Sequence, residues 1–505
     1  MNDSDNKPKA ITRRDFIATS TMAGAGVLLP HALRAADSSA AAVAGTRKRF
    51  AHVGTGSRSR FYRGAIEDKY APYAEYVGFC DINPGRLQLF QSKVQAATGK
   101  QVPTFEASEF DRMIAETKPD TVIVTTVDST HDQYVIRAME LGCDVITEKP
   151  MTTDAAKCQA IIDTQNRTGQ TCTVAFNYRY SPTRTQVKDL LMSGEIGEVL
   201  SVDFHWMLNT HHGADYFRRW HSRKENSGGL MVHKSTHHFD LINWWLSAIP
   251  VTVYANGKRE FYTPEMARRF GLSGPHERCL TCPEKARCGF ELDLASSGSL
   301  KELYLDNEHH DGYFRDRCVF RDEIDIEDTM NVVVRYDSNA TLSYSLNAFN
   351  SWEGYKVIFN GTKGRIEHKA MEKIYINDGS GASQGEIERG GTFTKVFPIR
   401  GHARDVELWT GEGGHGGGDV LLLDDIFLPG KKPDKYERAA DQRSGAYSIL
   451  TGVAANRSMA SGDAVQVADL VSGVGYPDYP EMPSRDELLP MPGKGWLHDR
   501  PAGTS

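Results

Sequence analysis

Between residues 49 and 150, short β-branched runs alternate with helix-patterned stretches, and this alternation restricts the possible folds more than any other feature. Arg49-Phe-Ala-His-Val53, Tyr76-Val-Gly-Phe-Cys80, Thr121-Val-Ile-Val-Thr125 and Asp144-Val-Ile-Thr147 read as buried strands. Helices are expected from about Pro84 to Ala97, around Ser108 to Thr117 and from His131 to Leu141. Strands joined through helices give a parallel, doubly wound sheet, which takes its ligands beyond the carboxyl ends of the strands. The last of these runs continues as Glu148-Lys149-Pro150. Pro150 has no N–H to offer a ladder and closes the strand, so Lys149 is placed to meet a cofactor on one side and a substrate on the other.

The first strand turns into a helix through Gly54-Thr-Gly56-Ser57-Arg58-Ser59. Gly54 and Gly56 permit a tight turn and a close approach of backbone to a pyrophosphate at the helix N-terminus. Ser59 occupies the third glycine position of that pattern, so the match is incomplete. The second strand ends at Asp81, whose carboxylate suits a ribose 2′-hydroxyl and would repel a 2′-phosphate. This favours NAD over NADP, although Arg58 and Arg86 lie near and weigh the other way.

The order of these motifs resembles the glucose–fructose oxidoreductase/inositol dehydrogenase (Gfo/Idh/MocA) family. The resemblance rests on Gly54-x-Gly56, Asp81, Thr126…His131 and Glu148-Lys149-Pro150. It continues through Asn177-Tyr-Arg179-Tyr-Ser-Pro182, Gly194-Glu-Ile-Gly197 and Gly361-Thr-Lys-Gly364-Arg-Ile-Glu367, and so spans about residues 50–470. It implies an α/β protein with an N-terminal Rossmann dinucleotide-binding domain and a C-terminal α/β domain built on an open, mostly antiparallel sheet. It also implies a bound nicotinamide cofactor, a sugar or cyclitol substrate and a homo-oligomer. Cofactor contacts are expected at Gly54, Gly56, Ser57, Arg58 and Asp81, and at Thr126, His131, Glu148, Lys149 and Asn177. The expected layout is a signal segment at 1–44, the Rossmann domain at 45–176, a substrate domain at 177–470 and a Pro-rich tail at 471–505. Independently of the family, Leu200 to His205, Met330 to Tyr336, Ala340 to Leu346 and Tyr355 to Asn360 are β-rich runs punctuated by turn residues such as Asp337-Ser-Asn339.

Gly228 to Leu246 reads as one helix with His233 and His237 four residues apart and Asp240 on the same face. The family places an Asp four residues before the His that takes the substrate's hydroxyl proton. Here His237 matches that His, but His233 stands where the Asp belongs, so the orienting carboxylate must come from Asp240 or another acid. Lys149, His237 and His233 are the catalytic candidates, and His-x-x-x-His also has metal-ligand spacing. Upstream, His211 to His221 reads as a loop dense in aromatic and basic groups, suited to a polyhydroxylated ligand. Tyr178, Arg179, Arg218, His221 and His238 are candidate substrate contacts. Gly411 to Asp419 is a glycine-rich loop carrying His415, and it resembles a loop of NAD-dependent α-N-acetylgalactosaminidases, which cleave glycosides by transient oxidation.

Eight cysteines fall in two groups. Cys80, Cys143, Cys158 and Cys172 read as inert core thiols. Cys279, Cys282, Cys288 and Cys318 lie in an insertion at about 262–320 and suggest a structural clamp: tetrahedral zinc, an iron–sulfur cluster or two disulfides. Thr12-Arg-Arg-Asp-Phe-Ile17, followed by a mildly apolar segment and small residues around Ala42-Val43-Ala44, reads as a twin-arginine export signal. A periplasmic or otherwise exported protein is therefore expected, with no membrane span in the mature chain. The net charge of −7 and the lack of a basic block past the N-terminus argue against a nucleic-acid partner.

Overall fold

A computed structural model describes residues 47–372, 386–489 and 491. The export signal lies outside the described residues. Six parallel strands form the first sheet: β1 (Lys48–Val53), β2 (Ala74–Asp81), β3 (Thr104–Glu106), β4 (Thr121–Val124), β5 (Asp144–Thr147) and β6 (Cys172–Val174), in the order β3-β2-β1-β4-β5-β6. Ala51, Val53, Val122, Val124 and Val145 are fully buried, which explains why these runs are continuously apolar rather than alternating. The chain winds outward in both directions from β1 and β4, so the switch point falls where Gly54, Thr125 and Glu148-Lys149 leave the sheet. Backbone bonds hold these ends together: the Thr125 N–H donates to the Val53 carbonyl at 3.0 Å, and the Glu148 N–H to the Val124 carbonyl at 3.0 Å.

The second sheet has nine strands: β7 (Val199–Asn209), β8 (Pro250–Lys258), β9 (Thr329–Tyr336), β10 (Thr341–Asn350), β11 (Glu353–Gly361), β12 (Gly364–Glu372), β13 (Phe393–Pro398), β14 (Arg404–Val406) and β15 (Val465–Gln466). Their order is β14-β13-β12-β11-β7-β10-β9-β8-β15, antiparallel throughout except for the β7–β10 pair. Alternation is clean here. Val202, Phe204, Trp206 and Leu208 of β7 face the core, while Asp203, His205 and Met207 face outward. Helices Thr236–Leu246 and Gln442–Ser461 cover the inner face. The β9–β10 hairpin turns at Asp337-Ser-Asn339, where Asn339 has φ +65°. The last described stretch, from about Gly473, runs over the surface without regular structure. It is tied down by the Ser247 hydroxyl donating to the Pro480 carbonyl and by Arg485 on Glu198.

Two local expectations are corrected. Gly228 to Leu246 is not one helix: a single turn, Leu230–His233, stops at Lys234-Ser235 before Thr236–Leu246 begins. The Ser235 N–H reaches back to the Leu230 carbonyl, closing the first turn five residues wide and displacing the second helix from its axis. His211 to His221 is not a loop either, but mostly the helix Thr210–Arg218, started by the Asn209 side chain accepting from the His211 N–H at 2.9 Å.

The insertion between β8 and β9 also departs from expectation. All four of its thiols are free, and among the described residues no group of three or more His, Cys, Asp or Glu side chains is placed to hold a metal ion. The structure thus does not place Cys279, Cys282, Cys288 and Cys318 in the metal-ligand geometry or the disulfides that their spacing suggested. What holds the insertion is Arg278, which donates to both Glu308 oxygens at 2.9 Å and to Asp316 at 3.0 Å, beside packed rings of Phe261, Phe270, Phe290 and Phe320. The other four cysteines are buried in the Rossmann half. Burial pushes the Cys80 and Cys172 thiols up to about 12, which leaves them unreactive as expected.

Candidate active site

The carboxyl ends of β1, β4 and β5 open into a cleft of about 1380 Å³ that continues to the helical layer of the second sheet. On the Rossmann side it is lined by Gly54, Gly56, Ser57, Arg58, Asp81, Thr126, His131, Glu148 and Lys149. Gly54 has φ +87°, and a Cβ there would lie 2.7 Å from the Thr125 backbone, so only glycine fits. Gly56 faces open space. Helix Ser59–Glu67 starts at Arg58 with no side-chain cap, so no side chain blocks a phosphate at its N-terminus, where the Arg60 and Phe61 N–H groups turn back to the Ser57 and Arg58 carbonyls. This glycine cradle and uncapped helix fit a dinucleotide. Replacing Gly54 with alanine forces both a disfavoured φ and a backbone clash, and nicotinamide affinity in a fluorescence titration is expected to fall at least about tenfold.

Several residues expected to touch the cofactor are already engaged with the protein. Arg58 pairs with Glu148 at 2.7 Å, and Tyr62 donates to the same carboxylate at 2.9 Å, so this pair braces Lys149 from behind. Asp81 accepts from the Thr55 N–H and hydroxyl and, through its other oxygen, from the Asn83 N–H at 2.8 Å. His131 lies between the Pro150 carbonyl at 2.9 Å and the Thr126 carbonyl at 3.2 Å, joining the β4 and β5 ends. Asn177 donates to Asp419 at 2.8 Å, and Asp419 in turn holds His415 Nδ1 at 2.9 Å. Burial works against the Asp419 charge, but His415, Arg58 and Asn177 together bring its carboxyl down to about 2. The glycine-rich loop is thus folded into the site, and His415 lines the cleft beside Tyr178, with their rings 5.6 Å apart.

Lys149 lies at the centre. Its ammonium donates to the His233 carbonyl at 3.1 Å and lies 3.4 Å from His233 Nε2. His233 Nδ1 lies 2.5 Å from Asp128, a buried acid just after β4. This dyad was not read from the sequence; the only trace of it is Asp128 within the Val127-to-His131 segment that follows a strand. Burial lowers the Lys149 ammonium to about 8, against the opposing pull of Asp128. Burial, reinforced by Lys149 and other cations, pushes both His233 and His237 well below the ordinary imidazole range. Both rings are therefore neutral near pH 7.

His237 also lines the cleft. It is stacked on Tyr178 at 4.0 Å with the planes 11° apart, and its buried Nδ1 has no hydrogen-bond partner. Asp240 does not orient it. That carboxylate is buried in a bidentate pair with Arg179, at 2.6 and 2.9 Å, away from the cleft. Arg179 is therefore a core residue, not a substrate contact. The same correction applies to His238, which bonds the Tyr344 hydroxyl at 2.7 Å and stacks on Trp206. Tyr178, Arg218 and His221 do line the cleft, as do Tyr216, Arg219, Lys234 and, from the insertion, Tyr304, Tyr313 and Arg315. The insertion also crosses to the Rossmann domain: Asn83 donates to the Asn307 carbonyl at 2.9 Å, and Arg86 pairs with Asp311.

Comparison with known proteins agrees with this architecture. Residues 48–176 match the NAD-binding Rossmann fold of the Gfo/Idh/MocA oxidoreductase family, and residues 188–467 match the family's C-terminal alpha/beta domain. The chain belongs to this family of NAD-binding oxidoreductases. It is 37% identical over 433 residues to the putative oxidoreductase YteT of Bacillus subtilis, covering 84% of this chain and 98% of that one. It is 27% identical over 194 residues to glycosyl hydrolase family 109 protein 1 of Akkermansia muciniphila, covering 37% of this chain and 40% of that protein. Among solved structures, the WlbA dehydrogenase of Bordetella pertussis, described in complex with NADH and UDP-GlcNAcA, shares the fold. Its TM-score is 0.56 at 20% identity, covering 83% of this chain and 98% of that one.

Proposed function

We propose that this protein is an exported, NAD-dependent oxidoreductase that transfers hydride between a tightly held nicotinamide and a carbohydrate or cyclitol hydroxyl. The observation that carries the reading is Lys149, held in one cleft between the Gly54–Gly56 cradle and the imidazoles of His233 and His237. Bound on that cradle, NAD supplies the hydride acceptor. The substrate hydroxyl proton passes to neutral His237, whose ring opens on the cleft. The Lys149 ammonium stabilises the developing alkoxide, and the Asp128–His233 dyad fixes that ammonium in place. Relatives named as inositol 2-dehydrogenases, such as the scyllo-inositol enzyme of Bacillus subtilis at 28% identity over 139 residues, support the substrate class.

Export rests on the Thr12-Arg-Arg-Asp-Phe-Ile17 motif. Because free NAD is scarce outside the cytoplasm, a retained cofactor follows. The bridge from Asn307 and Asp311 to Asn83 and Arg86, beside Asp81, supports retention. The open face of the nine-stranded sheet, with the paired Tyr254 and Val333 exposed, supports a homo-oligomer. No helix among the described residues is long and apolar enough to cross a membrane.

A second reading is a redox-neutral glycosidase. It is favoured by His415, fixed by Asp419 on the glycine loop and facing the same cleft. Purified protein incubated with sugars, cyclitols and aryl glycosides separates the two: a keto product with nicotinamide reduction supports the oxidoreductase, and aglycone release without net redox change supports the glycosidase. The pH profile tests the role of Lys149. With His237 neutral throughout, kcat/KM for oxidation is expected to be level from about pH 6 and to fall as pH rises through about 8, where the Lys149 ammonium is lost. A profile rising through pH 8 assigns Lys149 the role of base instead.

A further inference from the structure

Three guanidiniums at one end of the cleft share a single carboxylate. Asp215, fully buried on helix Thr210–Arg218, holds Arg315 at 2.8 Å and Arg219 at 3.3 Å, with Arg218 at 3.7 Å. Burial opposes the charge on Asp215, but Arg315, Arg219 and Arg218 outweigh it and bring the carboxyl down to about 2, so it is ionised and neutralises one of the three. Arginine cannot shed its proton to escape burial. About two positive charges are therefore left over.

Their hydrogen bonds are also incomplete. Arg315 Nη1, Arg219 Nε and His221 Nδ1 are buried without a hydrogen-bond partner, Arg218 Nε has only the 3.7 Å contact with Asp215, and all four side chains line the cleft. The Arg315 side chain is only 3% exposed, so water does not satisfy it from outside. Glu291 and Asp293 line the same cleft but are exposed to solvent, and neither pairs with these arginines. The cluster adjoins the reacting end: the His221 ring lies 4.2 Å from His233, and Tyr216 packs edge-on against both.

We infer that the substrate carries an anionic group, a carboxylate or a phosphate, which Arg219 and Arg315 hold at the end of the cleft beside His221. A guanidinium pairs with either anion through two parallel N–H bonds, and this would fix the sugar's orientation relative to Lys149. The inference rests on the reading of the cleft as a sugar-oxidising site and narrows its substrate. It also gives the insertion a role, because Arg315 comes from it.

The test is calorimetric titration of the full chain loaded with NAD, using glucose, glucuronate and glucose 6-phosphate and the corresponding galactose series. One of the two anions is expected to bind at least about tenfold more tightly than its neutral parent, and which one does so separates carboxylate from phosphate. In R219Q and R315Q that advantage is expected to shrink about 10–100-fold, with the ratio of anion to neutral affinity collapsing toward one. Arg219 is the less buried of the two, so R219Q remains informative if R315Q does not fold. Neutral sugars binding as well as or better than both anions, or neither anion binding, overturns the inference, as does an equal loss for all ligands in R219Q. Binding is read without turnover. A protein that binds the anion but never reduces nicotinamide overturns the oxidoreductase reading and leaves this one standing.

Discussion

Replacing Lys149 with alanine is expected to lower turnover by about 10³–10⁴-fold while leaving nicotinamide affinity within a few-fold of the parent. The ammonium hydrogen-bonds the imidazole-bearing turn of the second domain from the end of a Rossmann strand. Its removal leaves a developing alkoxide without the ammonium that lies beside the His233 and His237 imidazoles. The glycine cradle, which binds the other end of the cofactor, does not depend on it. Single-turnover kinetics beside a fluorescence titration separate the two effects. A loss of nicotinamide binding equal to the loss of turnover would make Lys149 a cofactor-holding residue rather than a catalytic one. Lys149→Arg tests the ammonium chemistry more finely: residual activity should lose its alkaline fall near pH 8, because a guanidinium stays charged.

The second large effect concerns stability. Replacing Asp240 with alanine leaves the Arg179 guanidinium buried and unpaired, and unfolding free energy is expected to drop by about 3–5 kcal/mol. Both side chains are essentially inaccessible, and the guanidinium also lies near the rings of Trp244, Phe176 and Tyr479, so no water can replace the carboxylate. Equilibrium denaturation in urea measures the loss. Changing both partners to apolar residues of similar volume is expected to recover much of it, because the pair gains little over a packed apolar core. At a temperature where the Asp240→Ala protein is folded, its turnover should stay within a few-fold of the parent. A collapse in turnover without a loss of stability would instead return Asp240 to the role of orienting His237.

These two residues show where reading the sequence works and where it stops. The parallel sheet was legible through β1, β2, β4 and β5, each a short apolar run followed by a helix, whereas the three-residue β3 (Thr-Phe-Glu) and β6 (Cys-Thr-Val) are too short to carry that pattern and were not read. Gly54 and Lys149 were legible for a related reason: what matters about them is backbone freedom or position at a strand end, and both are properties of neighbours in the chain. The outer sheet was partly legible. β7, β9, β10 and β11 alternate cleanly, but β8, β12, β13, β14 and β15 were not read as strands: β14 and β15 are short edge strands, and the interior β8, β12 and β13 carry too many Gly, Pro, Lys and Thr residues for their apolar alternation to stand out.

What only the tertiary structure decided is which charged groups meet. Asp128 and His233 are 105 residues apart and Asp215 and Arg315 are 100 apart, and no periodicity connects either pair. Asp240 looked like a partner for His237 because three residues separate them on one helix. Yet the helix turns that carboxylate toward Arg179, 61 residues away, and the more distant ion pair wins. The cysteine spacing suggested a clamp; the fold brings Cys279, Cys282, Cys288 and Cys318 into one neighbourhood, but among the described residues they do not form a metal-ligand group, and Arg278 ties the insertion together through Glu308 and Asp316. Sequence by itself determined the scaffold and the position of its central lysine. Long-range electrostatics in a buried cleft, set by packing between two sheets and an insertion, decided the rest of the site.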